Sequence, residues 1–322
     1  MIRPGVPAPN LAPLLGREVV RERDGVRYFE LEARSLMNRC TSEYVPFDWT
    51  VNPYRGCAMG CRYCYATYSH GYLGVEEADD FHRVIYAKKD SEGETLRRLA
   101  RAAHRGELVA LGTVTDPYQP GETELGSTRS FLQKVACLRG LRVGITTKGA
   151  LILRDLDLLK TIHGRSSLHI QVSLISLDRS LVRRLEPLAP PPEVRLEVLS
   201  RLVGAGLDAG ISITPILPGL TDAPRDLEAL LAAAAGAGVQ RFFRGFLFLR
   251  SPTREKYLAW VEREEPRLLP AYLRAYGSGS RLKGAYTTRI LATVDRLAAR
   301  YGLTNEHMGP VRVPPRQLRL FP

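Results

Sequence analysis

Between residues 46 and 250 the chain repeats one phrase: an apolar, β-branched run, then an amphipathic helical run. The runs "FDWTVNPY", "RVIYAKK", "ELVALGTVT", "RVGITTKG", "SLHIQVSLIS", "DAGISITPILPG" and "QRFFRGFLFLR" read as strands. Between them "GETLRRLARAAHR", "STRSFLQKVACLRG", "LRDLDLLKTIHG", a segment from near Asp178, "PPPEVRLEVLSRLVGAG" and "DAPRDLEALLAAAAGAG" read as helices. Asp155 or Asp157 suits a first helical turn, prolines open "PPPEV", and Gly140 is expected to stop the helix before it. Strands that read as continuously apolar belong to a parallel sheet covered by helices. About six such units predict an α/β fold built as a partial, open (β/α)6 TIM-type barrel rather than a closed eightfold one.

The expected division is an N-terminal extension over 1–45, the barrel over 46–250 and a helical segment over 251–322. Pro4, Pro7, Pro9 and Pro13 keep the start extended, and "REVVRERDGVRYFELEARSLMN" alternates like a hairpin leading into a turn or helix. After residue 250 the pattern turns helical in "REKYLAWVEREEP" and "TRILATVDRLAARYG". No apolar run approaches the ~20 residues of a membrane span, and the start lacks the apolar core of a secretion signal. Five cysteines, three of them crowded together, do not make a disulfide framework; a reducing, cytoplasmic setting is expected. The net charge of +12 is compatible with nucleic acid or another polyanion. However, the arginines are scattered through helices, as a generic basic surface or a GC-rich genome would also give, and no basic-aromatic patch stands out.

The chemistry concentrates in "NPYRGCAMGCRYCYA", residues 52–66. Cys57, Cys61 and Cys64 are spaced C-x3-C-x2-C, with Gly56 and Gly60 giving the loop room to fold around one centre. Thiolates select zinc, Cu(I) or iron–sulfur centres. A structural zinc wants four closed ligands, and no fourth cysteine lies nearby; His70 is the one close histidine. Three thiolates leave a coordination position open, which suits chemistry better than scaffolding.

This spacing, with an aromatic before the last cysteine, resembles the signature of the radical S-adenosylmethionine (SAM) superfamily. The segments "LGTVTDPYQPGE", "TTKG", "VSLISLD", "RRLEPLAP" and "PILPGLTD" look like its spore-photoproduct-lyase-like branch, so the resemblance runs from about residue 48 to 222. The resemblance implies a [4Fe–4S] cluster on the three cysteines, with SAM chelating the fourth iron through its amino and carboxylate groups. It further implies an external electron donor of flavodoxin or ferredoxin type, and cleavage of SAM to a 5′-deoxyadenosyl radical that takes a hydrogen from substrate. It puts the motif after the first strand of a radical SAM partial barrel, and Tyr63 against the adenine.

The usual amine-binding motif of two glycines and a glutamate is missing; "GTVTDPYQP" takes its place. Thr115 and Asp116 there, Lys148 in "ITTKG" and Ser173 in "QVSLIS" end apolar strands, where barrel ligands bind. Lys148 and Ser173 match a lysine and a serine that contact SAM in the lyase, and the "PILPG" loop with Pro218 and Gly219 is a candidate to lie along the adenine. Turn-forming, packing and surface roles remain open for each. Cys137 is expected on an apolar helix face and Cys40 is expected to be buried. The lyase returns a hydrogen through an extra cysteine, whereas residues 112–116 here read Gly-Thr-Val-Thr-Asp, with no thiol. Tyr65 and Tyr118 are the alternative donors near the centre. Three readings stay open: a radical SAM enzyme on an unidentified substrate with nucleic acid among the candidates, one acting on a peptide or small biosynthetic intermediate, or a basic nucleic-acid-binding protein with a structural metal. The sequence is silent on oligomeric state.

Overall fold

The computed structural model describes residues 19–23, 25–42, 45–73, 80–90 and 93–305. The four prolines of the first 13 residues lie outside them. Strands β1 (Arg21–Arg23) and β2 (Val26–Ala33) form the expected antiparallel hairpin, Glu22 opposite Arg27. The following "SLMN", expected as a turn or helix, contributes instead to strand β3 (Met37–Arg39), antiparallel to β4 (Trp49–Val51). Met37 is fully buried opposite Val51, so ladder pairing and core burial override the local preference.

The chain continues through β5 (Tyr54–Arg55), α1 (Asp80–Arg83), β6 (Val84–Asp90), α2 (Glu94–Arg105), β7 (Leu108–Leu111), α3 (Glu122–Leu125) and α4 (Ser127–Ala136). Then come β8 (Arg142–Thr147), α5 (Leu156–His163), β9 (Ser167–Ser173), α6 (Arg179–Leu185), α7 (Pro192–Gly204), β10 (Ala209–Ile216), α8 (Pro224–Gly236) and β11 (Arg241–Phe246). Helices α9 (Thr253–Glu264), α10 (Leu269–Tyr276) and α11 (Ala285–Arg300) close the described chain. The start signals act as expected: the Asp178 carboxylate caps α6 by accepting from Leu181 N at 3.0 Å, and prolines open α7 and α8. Helix α4 stops four residues before Gly140, at Ala136.

The main sheet runs β11-β10-β9-β8-β7-β4-β3, with six parallel strands and the antiparallel β3 at one edge. Each step between parallel neighbours crosses over through at least one helix, which is the partial (β/α)6 barrel; its edge strands β3 and β11 are not paired to each other. The run "RVIYAKK" is not a barrel strand. It forms β6 in a second sheet, ordered β1-β2-β6-β5, because β2 offers it a seven-residue parallel ladder from Arg27–Val84 to Ala33–Asp90. No helix among the described residues is long and apolar enough to cross a membrane.

The barrel strands are not continuously apolar in effect. On β9, Leu168, Ile170 and Val172 face outward into the core under the helices, while His169, Gln171 and Ser173 line the barrel's inner cavity. On β10, Ile211 and Ile213 face out and Ser212 and Thr214 in. The outer layer also buries Leu99, Leu132, Leu159, Leu199 and Leu230 from five helices. Ile170→Ala, on the outward face, is expected to lower the unfolding free energy by about 2–5 kcal/mol in urea titration. Gln171→Ala, one residue on and facing the cavity, is expected to change it by about 1 kcal/mol or less.

Candidate active site

The cysteine loop leaves the small sheet at Arg55 and is fixed by its backbone before any cofactor is considered. Gly56 has φ +88°, and a Cβ there would sit 2.8 Å from Val84 O and 2.9 Å from Phe81 O, so the loop presses on β6 where only glycine fits. Cys57 N donates to Phe81 O at 3.0 Å, and Ala58 N to Gln119 Oε1 at 2.8 Å. Thr115 Oγ1 and Gln119 Nε2 both donate to Gly56 O, at 2.6 and 3.3 Å. On the far side Arg62 N donates to Leu185 O at 2.9 Å, and Thr253 Oγ1 to Cys64 O at 2.7 Å. Beneath the loop lies a core of its own, with Leu181 and Leu185 of α6 and Tyr257, Trp260 and Tyr272 of α9 and α10.

Cys57, Cys61 and Cys64 open into one cavity of about 460 Å³ inside the barrel, in the range of small-molecule sites. Burial pushes all three thiols up, Cys61 to about 12. Asp116 and the other two thiols add to the rise at Cys57, whereas Lys148 opposes it at Cys61 and Cys64. His70 is not part of the set: its ring is buried beside Phe81, with Nε2 3.0 Å from Val84 O.

Under the loop runs a buried polar chain. The Tyr63 hydroxyl donates to Glu186, and Glu186 pairs with Arg195, both ends of the pair fully buried. Arg195 also donates to Pro190 O at 2.7 Å and Ser173 O at 2.9 Å. Lys148 Nζ lies 4.0 Å from Glu186 Oε1 and 5.9 Å from the centre of the Tyr63 ring. Burial opposes the Lys148 charge, but Cys61 and Glu186 outweigh it, so its pKa rises and it stays an ammonium. Burial, then Glu186, pushes the Tyr63 phenol well above its usual range, so it stays a donor.

Of the residues singled out from sequence, Tyr63, Tyr65, Thr115, Asp116, Lys148 and Ser173 line the cavity with the three cysteines. Several of their polar atoms are engaged by the protein itself. The Thr115 hydroxyl is on Gly56 O, and Asp116 accepts from Thr147 Oγ1 at 2.6 Å, Lys148 N at 2.7 Å and Tyr118 N at 2.9 Å. Tyr65 is 42% exposed and donates to Thr113 O. Tyr118 is not brought to the cavity; it is packed in the barrel core, where burial, then Asp155 and Glu122, raise its phenol. Cys137 is exposed, not on a core face: α4 ends before it, and its Sγ turns back to Gln133 O at 3.3 Å. Cys40 is half-buried rather than buried, and lies outside the cavity.

A family model of the radical SAM superfamily matches residues 51–231, more than half of the chain. The chain is a radical SAM enzyme. An uncharacterised protein of Mycobacterium tuberculosis is 34% identical over 285 residues, covering 88% of this chain and 84% of its own. One from Methanocaldococcus jannaschii is 28% identical over 174 residues, 54% of this chain and 62% of its own. Among solved structures, a spore photoproduct lyase variant with bound AdoMet and dinucleoside spore photoproduct superposes with TM-score 0.66 at 15% identity, over 89% of this chain and 86% of that one. At that identity the likeness is one of fold.

Radical SAM membership implies SAM and a [4Fe–4S] cluster, and the donor set fits them. Three soft ligands face one cavity. Among the described residues no three His, Cys, Asp or Glu side chains converge on a single ion. A cube takes each thiolate on a different iron, so the fit is carried by the donor type, three soft thiols of one loop opening into one cavity.

Sequence reasoning missed Glu186 and Arg195, which sit inside the quoted "RRLEPLAP" and the helix after it. It missed Gln119 as well. An acid two residues after an arginine pair gives no sign of burial, and the Glu186–Arg195 contact depends on how α6 and α7 meet. Glu186→Ala leaves the Arg195 charge buried alone, and is expected to destabilise the fold by about 3–5 kcal/mol in chemical denaturation.

Proposed function

We propose that Cys57, Cys61 and Cys64 hold the [4Fe–4S] cluster, that SAM binds beside it against Lys148, Ser173 and Tyr63, and that the substrate is nucleic-acid-related. The observation that carries this reading is the meeting of three thiols and a half-buried ammonium in one cavity at the strand ends of the barrel. When bound, the cluster supplies one electron that breaks a carbon–sulfur bond of SAM, giving methionine and a 5′-deoxyadenosyl radical that takes a hydrogen atom from substrate; family members draw that electron from a donor outside the chain.

The chain's own residues orient and screen. Lys148 is positioned to pair a carboxylate, and Tyr63, held through its hydroxyl by Glu186, presents a fixed ring face. Asp116, with both oxygens hydrogen-bonded, sets the turn that carries Lys148. Tyr65, between the cysteine loop and Thr113, is our candidate hydrogen donor to a substrate radical, since residues 112–116 offer no thiol.

The nucleic-acid part rests on the net charge of +12 and on arginine–aromatic pairs near the cavity. The Arg281 guanidinium lies 4.9 Å from the Phe248 ring centre, and Phe248 lines the cavity; the Arg250 guanidinium lies 5.2 Å from that of Tyr68. The sequence alone had no such patch to offer, because Arg250 and Tyr68, and Phe248 and Arg281, are joined only by folding.

Anaerobic reconstitution with iron and sulfide, followed by dithionite and SAM, is expected to release 5′-deoxyadenosine. An intact cluster that yields none, with or without nucleic acid present, overturns the radical reading. Alanine at Cys57, Cys61 or Cys64 is expected to abolish the cluster's visible absorbance, and alanine at exposed Cys137 to leave it unchanged.

Lys148→Met is expected to weaken SAM binding at least tenfold with the cluster intact, measured by equilibrium dialysis. Binding of single-stranded DNA and RNA is expected to fall steeply as salt rises. A flat salt response moves the substrate away from nucleic acid.

A further inference from the structure

The segment "TDPYQPGE", residues 115–122, stands where the usual amine-binding motif is missing, and its polar side chains are committed to the protein. Asp116 holds the turn after β8, as described above. Glu122 is fully buried and accepts from the Tyr54 hydroxyl, from Thr128 N at 2.8 Å and from Arg154 at 2.7 Å. Tyr54 opens β5, two residues before Gly56. One short segment therefore braces both the strand that leads into the cysteine loop and the turn that carries Lys148.

Gln119 is the member that reaches a cysteine. It is fully buried, and its amide works on both sides of Cys57. Oε1 accepts from Ala58 N at 2.8 Å, while Nε2 donates to Gly56 O at 3.3 Å and to Thr115 Oγ1 at 3.2 Å. The two other polar atoms of these peptide groups are also engaged: Cys57 N donates to Phe81 O at 3.0 Å, and His82 Nδ1 lies 2.8 Å from Cys57 O. The two peptide groups that flank Cys57 thus have every backbone donor and acceptor partnered by the protein.

This arrangement bears on the sulfur chemistry. Peptide N–H groups of a ligand loop are ready donors to sulfur, and each such bond favours the more negative, reduced state of an iron–sulfur centre, raising its potential. Met59 N already donates to the Cys57 sulfur. Ala58 N, one residue nearer, is turned to Gln119 instead. An amide is suited to the task, because it offers an acceptor and a donor side by side and brings no charge to a buried position. One-electron cleavage of a sulfonium needs a strongly reducing donor, so taking an N–H away from sulfur serves that step.

We propose that Gln119 is a positioning residue for Cys57: it locks the two peptide groups that flank this ligand and keeps Ala58 N–H off the sulfurs, which holds the cluster's potential low. The proposal rests on the cluster reading above.

The test is a redox titration of the reconstituted full chain, read by electron paramagnetic resonance of the reduced cluster, in Gln119→Met and Gln119→Glu. Methionine keeps the length of the side chain and removes both hydrogen-bonding groups. Glutamate keeps an oxygen that accepts from Ala58 N. The midpoint potential is expected to shift upward in Gln119→Met, and to stay at the wild-type value or fall below it in Gln119→Glu. A wild-type potential in Gln119→Met, or an equal upward shift in both variants, overturns the proposal. If Gln119→Met takes up no cluster, alkylation of the cluster-free chains decides, followed by peptide mass spectrometry. Faster reaction of Cys57 than in wild type, in Gln119→Met but not in Gln119→Glu and with Cys61 unchanged, upholds the clamp. Rates that rise equally at Cys57 and Cys61, or not at all, overturn it. A wild-type chain that assembles no cluster refutes the cluster reading, whereas an assembled cluster with an unmoved potential refutes this proposal alone.

Discussion

One ion pair, buried at both ends, ties the parts of this site to one another. Glu186 ends α6 and Arg195 lies in the first turns of α7. Through them the aromatic ring of the cysteine loop, the last carbonyl of β9 and the turn at Pro190 are held in one hydrogen-bonded unit. Such a pair adds little net stability, because removing two charges from water offsets most of their attraction. What it supplies is geometry. Tyr63 has one acceptor within reach, and Arg195 spends its donors on Glu186 and on two carbonyls, so loop, strand and helix have one mutual arrangement that leaves no charge unpaired.

The barrel can afford an open interior because its stability is carried elsewhere. Branched side chains on the outward faces of β8, β9 and β10 pack under the helices, while the inward faces carry small or polar residues. A second apolar core beneath the cysteine loop joins α6 to α9 and α10, with Tyr257 and Trp260 stacked at 5.8 Å. The loop is therefore gripped from below by aromatics, from one side by β6 and from the other by Thr115 and Gln119. None of these supports needs the cavity to be filled.

The order of strands and helices was largely legible in the sequence, because each alternation of apolar runs has a local cause. So was the gathering of Cys57, Cys61 and Cys64 at one cavity, since their spacing is itself a geometric statement. What was not legible depended on pairing. "RVIYAKK" has the composition of any barrel strand, and only the ladder offered by β2 diverts it to the small sheet. Tyr118 lies two residues after Asp116 and was expected at the centre, but it turns into the barrel core. Cys137 has the right period for a core position, yet the helix ends one residue too early. The polar inner wall was readable in principle: "SLHIQVS" and "GISITP" alternate polar and apolar residues, a period of two that a search for apolar runs passes over.

Charge in the cavity is arranged for an anionic occupant at one end only. Asp116 is hydrogen-bonded at both oxygens, which leaves Lys148 as the ammonium facing the space between loop and strand ends. Glu186 lies beneath it but is already bound by Arg195 and Tyr63, so it supports the Lys148 charge without claiming it at hydrogen-bond distance. A ligand carboxylate can therefore complete Lys148 more closely than Glu186 does at 4.0 Å. Deeper in the barrel, around His169 and Gln171, the cavity wall carries no lysine or arginine among the described residues. A ligand with an anionic group toward Lys148 and an uncharged part deeper in the barrel matches this polarity; a uniformly charged one does not.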